Sequence, residues 1–446
     1  MKKKSPRYPL PSGLEIKLNN KDNLAAPGDG FGPRSVPFEA ATRAVEIFAA
    51  ARGRGADGVV TITGGEPLLD FDLLCRLTAW IRKKYPRFGV EVECNGTLAT
   101  RQRCARLIGL GADLWVRFTG SRASMDPFLK FAKGGGSVFD AVARNLAALT
   151  EAQRRRVCVS ALQPAAGVTR LEEGFAYLRR WEFKEAVADL AVYDDWTPAR
   201  VEDLRRALRG VRASYLAGIA AGSLPWPQPS RLYGIDLEPR LRPEFPPAAI
   251  TLSCDGIFFP CPARNLTAAL PFAVGSAATG LDMDKLQSFY TRLDAALEAA
   301  GSRASILPPA ERLLTALAED RDPSGPLAQG AAAARACEEE LGWFMPVEKA
   351  LRLLAADPGF GNFMRRPKEL PREPRESLEL SLGRGGLSHA REEIDRLLWS
   401  PGPAKTLVLR GKGEKELALS VYAALRAHSL GKKLAQPGRV PAGAKS

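Results

Sequence analysis

Residues 13–221 are predicted to form an α/β domain of parallel βαβ units, from two alternating periodicities and a composition change near Gly222 that ends them. Short apolar runs of β type stand at 14–18, 59–63, 90–94, 114–118, 157–161 and 187–193. Stretches of helical period lie between them, at 38–52, 68–85, 100–109, 138–149 and 171–181. The second of these places Leu73, Leu74, Leu77, Trp80 and Ile81 on one face. Strands alternating with helices pair in parallel through right-handed crossovers. Six such units form an open barrel or a doubly wound sheet, and periodicity leaves both open.

Beyond Gly222, Pro225, Pro227, Pro229, Pro239, Pro243, Pro246 and Pro247 mark an extended connector. The runs 250–253 and 257–259 flank Cys254-Asp255-Gly256, a β-hairpin signal because Asp-Gly tolerates the positive φ of a tight turn. Alanine-rich helical patterns follow over 282–354, and 365–377, with Arg365, Arg366, Lys368, Arg372 and Arg375 among prolines, reads as a linker. A small module spans 378–434. Residues 1–12 and 435–446 read as disordered tails.

The chain has 446 residues, 45% hydrophobic and 26% charged, ordinary for a globular protein and unlike a disordered one. Its 64 Lys+Arg against 50 Asp+Glu give a net charge of +14. Those basic residues are scattered, at 2–4, 82–84, 154–156, 365–366 and 432–433, and no aromatic-interleaved stripe gathers them. The excess therefore reads as solvated surface. Only His389 and His428 are histidines, which excludes a His-rich metal centre or His-based triad in the main body. Seven cysteines in this length are not a disulfide scaffold. No apolar signal-type stretch opens the chain, and none reaches the roughly 18 residues of a membrane span. A reducing cytoplasm is the expected location.

Thr63-Gly64-Gly65-Glu66-Pro67 sits at a strand end and opens a helix. Paired glycines there let a ligand approach the backbone, and Glu66 can accept hydrogen bonds from an ammonium group. Further segments follow in order: Glu93-Cys94-Asn95-Gly96-Thr97, then Gly136-Ser137-Val138-Phe139-Asp140, then Ser253-Cys254-Asp255-Gly256 through Pro260-Cys261, then Val274-Gly275. As an ordered set spanning about residues 13–280, these resemble the radical SAM superfamily, of the peptide-maturase type that carries a SPASM extension. The resemblance implies a partial (β/α)6 TIM-like barrel with a degenerate SPASM-like hairpin and helical extension, followed by a small C-terminal βαβ module. It also implies cofactor-site positions at Gly64, Gly65, Glu66, Pro67, Asn95 and Arg117, with the Gly-Gly-Glu-Pro turn contacting the amino group of S-adenosylmethionine.

Departures from the family are equally specific. Its [4Fe–4S] cluster is held by Cys-x3-Cys-x2-Cys just after the first strand. Here Asn23-Leu24 align with the usual Asn-Leu, which puts Asp22, Ala26 and Asp29 at the three cysteine positions. Soft thiolates are what such a cluster needs, and residues 1–74 contain no cysteine. Arg117 replaces a serine of the family, where it would crowd S-adenosylmethionine, bind a carboxylate, or point outward as surface. Cys75, Cys104 and Cys158 read as core; Cys94 reads as packing at a strand end facing the pocket. Cys254, Cys261 and Cys337 offer three ligands where an ordinary zinc or iron–sulfur site needs four.

The expected function is that of a catalytically degenerate family member, a pseudoenzyme with no catalytic or metal-binding residues. It would serve as a non-catalytic partner or peptide-binding scaffold beside an active peptide-modifying enzyme, with a homo-oligomer open. No [4Fe–4S] cluster is expected, and S-adenosylmethionine should bind weakly or not at all. A second reading is an enzyme that binds S-adenosylmethionine and uses atypical cluster ligation or non-cluster chemistry. A third, nucleic-acid binding, rests on charge balance alone.

The C-terminal module echoes the start of the chain. Leu378-Glu379-Leu380-Ser381-Leu382 parallels Leu14-Glu15-Ile16-Lys17-Leu18, and the segment from Leu407 to Glu414 parallels that from Val60 to Pro67. Strand–helix–strand–helix with parallel strands is expected, with Arg410 and Lys412 at an anion-accepting turn.

Overall fold

The computed structural model describes residues 8–25, 33–220 except 54, 179, 182 and 191–195, then 249–260, 269–299, 376–381, 387–401 and 404–410, with a few isolated positions and 433–435. Two compact units divide the chain: residues 1–204 with 237–335, and residues 205–236 with 336–446.

The first unit is a partial barrel. Strands β1 (Gly13–Lys17), β2 (Gly58–Thr63), β3 (Phe88–Cys94), β4 (Asp113–Arg117), β5 (Val157–Gln163) and β6 (Glu185–Leu190) lie side by side, each parallel to the next. The crossovers carry α1 (Phe38–Arg52), α2 (Phe71–Lys84), α3 (Arg101–Gly109), the short α4 (Arg122–Met125), α5 (Val138–Ala147), the short α6 (Glu151–Arg154) and α7 (Leu171–Leu178). Helix α8 (Pro198–Ala220) follows β6.

Of the two topologies the periodicity leaves open, the barrel type forms, because no strand order reverses between β1 and β6. Helix starts follow local chemistry. Thr100 accepts from the Arg103 amide to cap α3, and Ser137 accepts from the Asp140 amide, 3.0 Å, to cap α5.

Strand alternation sorts the sheet into two chemically different faces. Leu14, Ile16, Val60, Ile62, Val90 and Val92 are buried on the helix side, where α1 contributes Ala44, Val45 and Phe48 and α2 contributes Leu74, Leu77 and Ile81. The opposite, inner face carries Glu15, Lys17, Thr61, Thr63, Glu91, Glu93, Trp115 and Arg117, which lie in register across β1 to β4. Trp115 and Cys158 form a small apolar cluster there. Cys94 continues the buried alternation of Val90 and Val92, so it faces the helix layer beside Cys104 rather than the pocket expected for it.

Beside β1, on its other edge, β7 (Ala249–Leu252) pairs in parallel, and β8 (Phe258–Phe259) returns antiparallel. Gly256 turns this hairpin at φ 74°, as the Asp-Gly pair predicts. The small ladder β9 (Gly275–Ser276) with β10 (Gly280–Leu281) leads into the helix Met283–Ala299. Of residues 8–12, expected as part of a disordered tail, Tyr8 and Pro11 are buried, and the Tyr8 ring, 7% exposed, meets Tyr290 of that helix.

In the second unit β11 (Ser377–Ser381), the helix Leu387–Trp399 and β12 (Ala404–Arg410) form the expected strand–helix–strand, with the strands parallel. A third parallel strand, β13 (Lys433–Ala435), pairs with β12 and was not foreseen. Its three residues carry no readable period. Lys412, Cys261, Cys337, Ala26 and Asp29 lie outside the described residues. Among the described residues no helix is long and apolar enough to cross a membrane.

Candidate functional site

At the C-terminal ends of β1, β2 and β3, three loops meet: residues 18–25 after β1, the Gly64-Gly65-Glu66-Pro67 turn, and Asn95-Gly96-Thr97. The two glycines serve this chain's own backbone. A β-carbon at Gly64 would stand 2.5 Å from the Asn19 carbonyl oxygen, and one at Gly65 would stand 2.2 Å from that of Lys21. Gly65 donates its amide to the Asn19 carbonyl (3.0 Å) and Glu66 donates to that of Lys21 (2.7 Å). The loop after β1 approaches the turn closely at both glycines. Pro67 opens a 3₁₀ turn (Pro67–Asp70) that leads into α2.

Glu66 is fully buried, and its carboxylate is already engaged. One oxygen accepts from the Leu68 amide at 2.9 Å and the other from the Asn95 amide at 2.8 Å. Burial pushes the Glu66 carboxyl up to about 7; those two amides pull it back, the neighbouring Asp22 adds to the rise, and Arg117 opposes it.

Asp22, at the first cysteine position, accepts from the Leu24 amide at 2.9 Å and from the Asn95 side chain at 3.3 Å. Burial raises its carboxyl, against hydrogen bonds from Leu24, Asn23 and Asn95. Asn95 also donates to Asn23 (2.9 Å), Asn23 donates to Thr97 (2.8 Å), and Thr97 donates to Asn95 (2.7 Å), closing a ring of side chains. Lower in the loop, Asp70 accepts from Asn19, Lys21 and Ser35 at 2.7, 2.7 and 2.8 Å. Burial works against Asp70, yet these donors together hold its carboxyl below the ordinary range. Next to this ring, Leu24 bridges to Phe131, and backbone bonds from Ala132 to Asn23 and from Ala25 to Lys130 tie the loop's end to residues 130–132.

Arg117 ends β4 on the inner face, in register with Ser160, and reaches Glu93 at 3.5 Å. Of the orientations open for it, the structure takes the one toward the barrel mouth. Phe118, the next residue, stacks on Phe139 at 5.2 Å and meets Tyr177 at 5.7 Å, which fixes the strand end that presents the guanidinium. The structure therefore brings Gly64, Gly65, Glu66, Pro67 and Asn95 into one hydrogen-bonded knot with Asp22, and sets Arg117 close enough to act on its charges. Sequence reading missed Asn23, Thr97 and Asp70 as members, since their partners lie up to 74 residues away.

The donor set does not suit an iron–sulfur cluster. Asp22 is a hard oxygen ligand already committed to an amide and an amide side chain, no cysteine occurs in residues 1–74, and among the described residues no three His, Cys, Asp or Glu converge as metal ligands. Cys94 is not a substitute: burial raises its thiol well above the ordinary value, which disfavours the thiolate.

An open six-stranded parallel partial barrel with its loops knotted at the C-terminal mouth defines the class of fold. Residues 24–162 match the model of the radical SAM superfamily. No curated protein matches the sequence. The fold is similar to solved structures of native anSMEcpe with bound AdoMet, at TM-score 0.54 and 13% identity, over 76% of this chain and 98% of that one. The same figures hold for anSMEcpe with bound AdoMet and Cp18Cys peptide. A complex with Kp18Cys peptide aligns at TM-score 0.52 and 14% identity, over 75% of this chain and 97% of that one.

Proposed function

We propose that this chain is a radical SAM pseudoenzyme: a barrel kept as a peptide-binding scaffold or non-catalytic partner of a peptide-modifying enzyme, without cluster chemistry of its own. The observation that carries the reading is Asp22, which stands where the first cluster thiolate would be and spends its carboxylate on Leu24 and Asn95. The loop is held to the barrel by side-chain hydrogen bonds, so it needs no metal to keep its shape. Support for a peptide as the partner comes from the similarity to anSMEcpe bound to peptides. The scaffold would act in the cytoplasm, with a barrel over 13–221, an extension over 222–364 and a separate module over 378–434.

Iron analysis after anaerobic reconstitution tests it. The expected result is no stoichiometric iron; about four iron per chain with reductive cleavage of S-adenosylmethionine would overturn the reading. A second reading, S-adenosylmethionine binding without a cluster, is favoured by the retained Gly64 to Pro67 turn. Against it stands Glu66, whose oxygens are both taken by backbone amides and shielded from solvent. Calorimetry should show weak binding or none. Micromolar binding that vanishes in Glu66→Ala would promote the second reading instead.

A further inference from the structure

The inner face of the barrel has a charge opposite to that of the protein. The chain is +14 overall, yet this face gathers Glu15, Glu91 and Glu93 against Lys17 and Arg117. Neighbouring threonines hold two of the carboxylates in place: Thr63 donates to Glu15 at 3.2 Å and Thr61 to Glu91 at 3.3 Å. Glu93 has Arg117 at 3.5 Å, with both side chains partly open at the mouth. Beside Glu15, in register on β7, stands Thr251, which is fully buried. Its hydroxyl has no hydrogen-bond partner among the described residues. A buried hydroxyl left unpaired costs about 1–3 kcal/mol, so one beside an acidic face marks a place where a hydrogen-bond partner is missing, and a cationic N–H can fill it while also meeting the carboxylate.

We propose that this inner face receives a cationic side chain, the guanidinium of arginine or the ammonium of lysine, from a bound peptide. Its N–H groups would donate to the Glu15 carboxylate and the Thr251 hydroxyl. Glu93 would supply the second carboxylate, drawn off Arg117 as the ligand enters. The inference rests on the peptide-scaffold reading and adds the class of residue the scaffold selects. It also has a built-in control. A protein of net charge +14 repels cations at long range, so the outer surface as a whole does not favour a cationic peptide.

The test is an NMR titration of the full chain with blocked five-residue peptides that differ only at the central residue, arginine, lysine or glutamine. The expected result is binding of the arginine or lysine peptide about tenfold tighter than the glutamine peptide; whichever of the two binds better names the head group. Glu15→Gln and Thr251→Val should each reduce that preference several-fold. Thr251→Val removes the unpaired hydroxyl, so it should also raise the unfolding midpoint, which separates loss of binding from loss of fold. Equal binding of all three peptides, or a preference unchanged in both variants, would overturn the proposal. Neither outcome bears on the pseudoenzyme reading, which stands or falls on iron and S-adenosylmethionine.

Discussion

Glu66 is a buried carboxylate whose hydrogen-bond partners are both backbone amides. With both oxygens on backbone amides, its carboxylate closes the gap between β2 and β3. Its folded value of about 7 lies above the ordinary 4.5, so the folded state binds the proton more tightly than the unfolded chain. That contribution is fully present below pH 4.5 and is lost as pH rises through 7, a difference on the order of 3 kcal/mol. Asp140 and Glu46 have the opposite sign. Arg122 holds Asp140 low and Lys84 holds Glu46 low, so their contributions fade only in acid. Urea unfolding of Glu66→Gln should therefore show a shallower decline between pH 5 and 8 than the parent. At pH 5 the parent carboxyl is itself protonated and turns its hydroxyl to one of the two N–H groups, so the variant should be weaker than the parent there by only about 1 kcal/mol. A variant with the parent's full pH slope would show that another group titrates there.

The element that decides the site is the loop from Leu18 to Ala25, and its packing explains residues that ligand logic alone does not. Gly65→Ala should cost about 3 kcal/mol, because its β-carbon would lie 2.2 Å from the Lys21 carbonyl. Parent-like stability in urea would mean that loop and turn are not clasped. At Asp22 two substitutions separate hydrogen bonding from charge. Asp22→Asn keeps an acceptor for the Leu24 amide and removes a buried charge, so it should be neutral or stabilising at pH 8. Asp22→Ala leaves the Leu24 amide and the Asn95 side chain without their acceptor and should cost about 1–2 kcal/mol. Equal effects of the two would show that the hydrogen bonds contribute nothing. Elements were legible where the pattern is local: α1 spans Phe38–Arg52 as its period indicates, and β3 alternates so plainly that Glu91 and Glu93 could have been assigned to one face. The knot was not legible, since Asn23 and Thr97, or Lys21 and Asp70, are distant in sequence and meet only once three strands align.

At the scale of the first unit, the chain's two ends of the fold are tied by a contact that composition disguises. The start of the sequence is basic and proline-rich and reads as a tail, yet Tyr8 anchors it on the helix Met283–Ala299. Its backbone exchanges two hydrogen bonds with the Gln287 side chain, 3.0 and 2.9 Å. The phenol donates to Asp294 at 2.8 Å, and the ring meets Tyr290 edge-on at 6.0 Å. Tyr290 in turn is buried and donates to the Pro260 carbonyl just after β8, so a chain of contacts runs from the residues before β1 through the extension helix to the hairpin. Such a tie joins segments far apart in sequence, and its loss should lower the stability of barrel and extension together. Tyr8→Ala removes an almost wholly buried ring and a hydrogen bond to a carboxylate, and should cost roughly 3 kcal/mol. Tyr8→Phe keeps the ring and loses only the hydrogen bond, which gives about 1 kcal/mol. Hydrogen exchange checks the location: in Tyr8→Ala the amides of Leu286 to Leu293 should lose protection along with those of β1. Faster exchange in the helix alone, with β1 unchanged, would show that the extension is fastened to the barrel by something other than this segment.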